Sequence, residues 1–137
     1  MNNTQKLANW IVNTFREAAW APVAVFVSYL IGLAFGWFDL FPPLDIPTHF
    51  MGGVAITYFY RSAIRNLQKS PGEIPIGIQI VFAFTATGTT TIFWEFLEFL
   101  SDYFLSTQHV FGLNDTLKDM FFGLAGGLLL SLLYRER

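Results

Sequence analysis

The chain has no cysteine, which excludes disulfides, thiolate metal ligands and a cysteine nucleophile. It is also poor in charge. Only 13% of its residues are Asp, Glu, Lys or Arg, against roughly 25% in an ordinary soluble domain. No basic patch and no nucleic-acid motif is present, so nucleic acid is not an expected partner. The N-terminus is polar and amphipathic and lacks a clear A-x-A cleavage site, so no secretory signal peptide is expected. The motif E-x-x-H is absent, which counts against a paired di-iron bundle.

What is present is apolar surface. Hydrophobic residues make up 53% of the chain, and the mean hydropathy is +0.45. Such a composition cannot wet a globular surface of normal polarity. A length of 137 residues suits one membrane domain of about four helices and is too short for a soluble domain as well. Sixteen Phe and four Trp fit lipid-facing and interfacial positions.

The fold class expected is therefore an all-α integral membrane protein with four transmembrane helices and a short N-terminal amphipathic helix. Residues 1–17 place Leu7, Trp10, Ile11 and Phe15 at helical spacing beside Lys6 and Arg16, as an interfacial helix does. Residues 18–137 form the membrane domain, with spans predicted at about 18–38, 46–65, 75–103 and 115–134. The first span is uncharged, opens near Pro22 and carries Gly32 and Gly36 as a G-x-x-x-G packing surface. Pro42, Pro43 and Pro47 break the chain before the second span, which Asp45 is expected to cap. Asn66 to Ile74 reads as a polar turn around Pro71-Gly72. The third span has a small, hydroxylic middle from Thr85 to Thr91, suited to interhelical hydrogen bonds. Asn114 or Asp115 is expected to cap the fourth span, and Gly123, Gly126 and Gly127 give that span a smooth packing face.

The basic residues fall into three segments. Lys6 and Arg16 precede span one, Arg61, Arg65 and Lys69 follow span two, and Arg135 and Arg137 follow span four. The two other connections hold one cation, Lys118, among Asp39, Asp45, Asp102 and Asp115. The positive-inside rule then predicts a multi-pass protein of the cell membrane with both termini cytoplasmic.

Within the third span lies the stretch from Thr91 to Asp102, where Glu95, Glu98 and Asp102 share one helix face at i, i+3 and i+7. Ionisable groups in a span are costly and usually face a partner, an ion or a water-filled pocket. Counting from the cytoplasmic edge, His49 and Asp119 lie at roughly 22 Å, and Asp45, Asp115 and Glu95 at roughly 28–30 Å. Three helices thus bring Asp45, His49, Glu95, Glu98, Asp115 and Asp119 to one level on the outer side. So many carboxylates do not coexist dry without a cation or protons.

Three functional classes follow. In the first, these six residues bind a divalent metal ion, with Glu95 and Glu98 as the catalytic carboxylates of a hydrolase or transferase acting on a lipid phosphoester. In the second, the cluster belongs to a proton or ion pathway. In the third, the acidic residues are helix caps or exposed ends, and the chain is a non-enzymatic subunit or scaffold. Membrane lipids are the expected partners, with a second copy or a membrane subunit as the protein partner. His109 reads as a solvated loop residue, and the aromatic residues around Glu95 as lipid contacts.

In order along the chain stand Asp45-Ile-Pro-Thr-His49-Phe-Met-Gly52, Glu95-Phe-Leu-Glu98, Ser106-Thr107-Gln108 and Asn114-Asp115-Thr116-Leu-Lys-Asp119-Met120. This set resembles the YjdF-like family of small membrane proteins, whose pattern is D-x-x-x-H-F-x-x-G, E-x-x-E, T-Q and D-T-x-x-D-M. The broader VanZ-like proteins are similar and are linked to glycopeptide resistance at the cell envelope. The resemblance covers about residues 40–130 and implies the same shared polar set rather than a reaction. The sequence departs from the pattern in a shorter N-terminal region and in the loop between Gln108 and Asp115. There the family often has an acidic residue, and His109 stands near that place.

Overall fold

The computed structural model describes residues 2–68 and 72–134, and every element among them is helical. Of the basic residues used for orientation, Lys69, Arg135 and Arg137 lie outside the described residues, as does Pro71 of the expected turn.

Helix α1 (Asn3–Ala18) starts on a capping box. The Asn2 side chain accepts from the Gln5 N–H at 2.8 Å, and the Gln5 side chain accepts from the Asn2 N–H at 3.1 Å. Helix α2 (Trp20–Ala34) continues from α1 across a 51° bend. Pro22 is tolerated there because the first-turn N–H groups have no intrahelical acceptor.

The first span was expected to reach residue 38, but α2 ends at Ala34. Gly36 adopts φ +65°, a left-handed conformation that is cheap for glycine and stops the helix. Gly36 is therefore a turn residue and not the second half of a packing surface. The short helix α3 (Trp37–Leu40) folds back, so that a Cβ on Gly32 would lie 2.7 Å from the Phe38 ring. A 3₁₀ turn, Pro42–Leu44, then runs directly into α4 (Asp45–Gln68). Asp45 is thus a first-turn residue inside a continuous helical path rather than a cap.

Helix α5 (Ile76–Leu105) has 30 residues, about 45 Å of helix and longer than a hydrocarbon core of about 30 Å. It stops where Ser106 turns left-handed at φ +56°. Helix α6 (Leu113–Leu133) starts after Gly112, with no side-chain cap. Asn114 and Asp115 stand inside that helix, so neither is the cap that the sequence suggested.

Among the described residues two helices, α5 and α6, are long and apolar enough to cross a membrane, and a third crossing is available if the bent α1–α2 pair counts as one. The less apolar α4, with Asp45, Arg61 and Arg65, is not among them.

Small residues set the packing at the centre. A Cβ on Gly53 of α4 would lie 1.9 Å from the Gly123 carbonyl oxygen of α6, and one on Gly126 would lie 2.1 Å from that of Phe50. These backbones touch because no side chain stands between them. Helix α5 joins through hydroxyls, Thr57 to Thr87 at 2.7 Å and Tyr60 to Thr90 at 2.8 Å, as the hydroxylic stretch suggested. Gly127 faces the Thr57–Thr87 pair. The buried hydrophobic residues are small apart from Ile64, while Phe93, Phe96, Phe99 and Phe121 are all more than half exposed. That inversion suits a protein whose solvent is hydrocarbon: large apolar groups gain nothing by hiding from lipid, and packing falls to small residues.

Candidate metal centre

Three helices converge at the N-terminal end of α4. The first turns of α4 present Asp45 and His49, which are one turn apart on one face. The C-terminal half of α5 presents Glu95 and Glu98, and the start of α6 presents Asp115, Lys118 and Asp119. The Gly53–Gly123 and Gly126–Phe50 contacts hold α4 against α6 just below, so these side chains have little room to separate.

The His49 imidazole, its side chain 8% exposed, lies between two carboxylate groups. Its Nε2 is 3.2 Å from Asp45 Oδ1, and its Nδ1 is 3.9 Å from Glu95 Oε1. Ligand atoms of Asp45, His49 and Asp119 all lie within 4.8 Å of one another, and so do those of His49, Glu95 and Glu98. The Tyr29 hydroxyl of α2 donates to Glu98 Oε1 at 3.1 Å. Lys118 Nζ is 2.5 Å from Asp115 Oδ1, 3.6 Å from Asp45 Oδ2 and 3.7 Å from Asp119 Oδ1.

Two oxygens are left over. Glu95 and Asp119 are 7% and 4% exposed, and Glu95 Oε1 and Asp119 Oδ1 are buried with no hydrogen-bond donor. Leaving a buried acceptor unsatisfied costs about 1–3 kcal/mol, and more when the group is charged. Asp45, Glu95, Glu98, Asp115 and Asp119 bring five carboxylates to the cluster, and Lys118 is the one lysine among them.

The chemistry of the donors fits a hard or borderline divalent cation. A metal-bound histidine typically uses one ring nitrogen for the ion and hands the other N–H to a carboxylate. Asp45 is at the right distance to take the Nε2 proton. That leaves Nδ1 facing Glu95, across a gap too wide for a direct hydrogen bond.

A family model described as a predicted membrane protein, DUF2238, matches residues 11–136. The chain belongs to the DUF2238 family. No curated protein and no solved structure matches it.

Of the residues marked in the sequence of this DUF2238 protein, five fall in the two ligand groups: Asp45, His49, Glu95, Glu98 and Asp119. Asp115 lies beside them, paired with Lys118 and outside both groups. Asp102 turns elsewhere. Its carboxylate accepts from Thr107 Oγ1 at 2.6 Å and from the backbone N–H groups of His109 and Val110 at 2.9 and 2.8 Å. Asp102 thereby organises the loop after α5, and the His109 ring is in neither ligand group.

Sequence reasoning missed three participants. Lys118 reads in sequence as one cation of the outer connections, although its place three residues from Asp115 and beside Asp119 is a signal of pairing. Tyr29 gave none, since it looks like any span aromatic. Trp94 was read as a lipid contact, yet its ring packs on Phe26 and Tyr29, with centroids at 6.0 and 5.2 Å.

Proposed function

We propose that this DUF2238 protein crosses the cell membrane four times with both termini cytoplasmic, and that its outward-facing cluster around His49 binds a divalent cation. The observation carrying the reading is the pair of donorless buried oxygens, Glu95 Oε1 and Asp119 Oδ1, in a cluster with more carboxylates than cations. A cation held by His49, Glu95 and Glu98, with Asp45 orienting the imidazole, would satisfy Glu95 Oε1, while Asp119 Oδ1 belongs to the second ligand group, with Asp45 and His49. Asp115 and Lys118 border the same charge cluster. With 24 residues, or about 36 Å, α4 is long enough for a fourth crossing. Arg61 and Arg65 then lie at the end of α4 away from the site, where the positive-inside rule puts them. The YjdF-like pattern stated above is consistent with the family and draws on the same polar residues.

Chemically, a cation here would polarise a phosphoester oxygen, and Glu95 or Glu98 would take a proton from the attacking nucleophile. The activity expected is hydrolysis or transfer at an envelope lipid or lipid-linked precursor. Titration of the detergent-purified protein with Mn²⁺, followed by the electron paramagnetic resonance signal of free ion, tests the binding step. Wild type is expected to take up one ion per chain, and Glu95→Gln to lose at least tenfold in affinity. Equal, weak uptake by both would remove the reading.

A second reading, a proton path, draws on one observation. Glu95, Thr91 and Thr87 lie one turn apart along α5, and Thr87 bonds Thr57. A pH-driven flux in vesicles that stops in Thr87→Val but survives chelation would favour it.

A further inference from the structure

Between α2 and α5, floored by α4, lies a half-open cavity of about 210 Å³. Its walls are apolar along most of their length, with Val25 and Phe26 on α2, Gly52 and Ile56 on α4, and Trp94 on α5. One end reaches His49, and Tyr29, which donates to Glu98, lines the same cavity. From His49 to Ile56 the floor runs seven residues, about 10 Å along α4. The volume is below that of pockets that enclose a whole drug-sized molecule, roughly 300–1,000 Å³, and suits part of a chain.

The floor is bare because of glycine. A Cβ on Gly52 would meet nothing within 4 Å. Gly53, its neighbour, is explained by contact with α6, whereas Gly52 has no such contact and leaves room instead. The space is therefore not a by-product of helix packing at that residue.

We propose that this groove holds the hydrocarbon chain of a phosphate-bearing membrane lipid, whose phosphate reaches the cation beside His49. The proposal rests on the metal reading. Two features choose this occupant. The groove is continuous with the candidate site through His49, so whatever lies in it has its end at the cluster. The cation selects the end: divalent ions held by a few carboxylates commonly complete their shell with substrate phosphate oxygens. Entry from the side, between α2 and α5, lets the chain remain in hydrocarbon throughout. The head then travels no further than the outer ends of the helices.

The test uses the full chain in vesicles containing a trace of phosphatidic acid with a diazirine in its acyl chain, or of the matching phosphatidylcholine. Labelled peptides are mapped by mass spectrometry with Mn²⁺ or with chelator, and bound metal is measured in the same samples. With Mn²⁺, phosphatidic acid is expected to label residues 22–29 and 48–56 several-fold more than phosphatidylcholine does, and chelator is expected to abolish the difference. Gly52→Phe fills the floor. It is expected to cut groove labelling at least fivefold, keep bound Mn²⁺, and leave labelling around lipid-facing Phe121 unchanged. Val25→Trp narrows the same groove from α2 and is expected to do likewise if Gly52→Phe proves unstable. Groove labelling no greater than that around Phe121, or untouched by either variant while metal is bound, would overturn the proposal. Equal labelling by both lipids regardless of chelator would overturn the headgroup assignment. Wild-type protein without bound metal would instead overturn the reading beneath it.

Discussion

The two ends of α4 are both polar, in a protein that is mostly apolar, and they are built in opposite ways. At the C-terminal end, Arg61 is 2% exposed and donates to the Tyr134 carbonyl at 3.1 Å, with its guanidinium over the Tyr134 ring. Arg65 pairs with Glu17 of α1, whose other oxygen accepts from Asn66 at 2.9 Å. Trp10 of α1 donates to the Ala63 carbonyl at 2.7 Å. Cations there meet acceptors from α1 and from Tyr134, just after α6, and the result ties three helices together. At the N-terminal end, carboxylates outnumber cations and two buried oxygens have no donor. Charge alone therefore does not mark a functional site in such a protein. Only the N-terminal end has buried carboxylate oxygens that the described side chains leave without a donor.

The largest effect expected from breaking this comparison comes from the close α4–α6 backbone contact between the two ends. Gly53→Leu and Gly126→Val put atoms against backbone carbonyls that cannot move aside. The cost should reach or exceed the top of the usual overpacking range, about 3 kcal/mol. Size-exclusion profiles in detergent should show loss of the folded species in both variants.

Next, Arg61→Met should remove charge-assisted hydrogen bonds worth about 1.5–3 kcal/mol each and lower the thermal midpoint, without changing metal content. A loss of metal in Arg61→Met would show that the two ends are coupled and would undo the contrast.

At the other end the sign should reverse. Divalent ion at a hundred times its dissociation constant should stabilise wild type by about 2.7 kcal/mol, and chelator should cancel the gain. In chelator, Glu95→Gln should be as stable as wild type or more so, since it removes a buried, uncompensated charge. If Glu95→Gln is destabilised in chelator, Glu95 is a structural partner like Arg61, and the contrast fails.

The smallest effect should come from Thr57→Val, which loses the bond to Thr87. Membrane hydrogen bonds of this kind average about 0.6 kcal/mol, so the midpoint should fall by only a degree or two.

Much of this was legible in the sequence. Residue counting at 1.5 Å per residue put Asp45, His49, Glu95 and Asp119 at one depth, and the fold brings them together, because rise per residue is nearly invariant in a helix. The i, i+3 spacing of Glu95 and Glu98 was equally safe. Asp102 shows where periodicity stops being enough. It shares the stripe but lies two turns, about 10 Å, beyond Glu95, and three donors of the following loop hold it there. The end of α2 was illegible for another reason. Whether Gly36 continues a helix or turns left-handed depends on α3 folding back over Gly32, a contact of tertiary structure. Tyr29 at Glu98 and Trp94 at Tyr29 are likewise products of how α2 meets α5, which no spacing within either helix records.

The most direct measurement is elemental analysis of the protein purified in detergent, comparing wild type with Glu98→Gln and His49→Ala. One divalent ion per wild-type chain, reduced in both variants while their elution profiles stay those of the folded protein, is the result this account predicts. No bound metal in wild type, even after divalent ions are supplied, would contradict it.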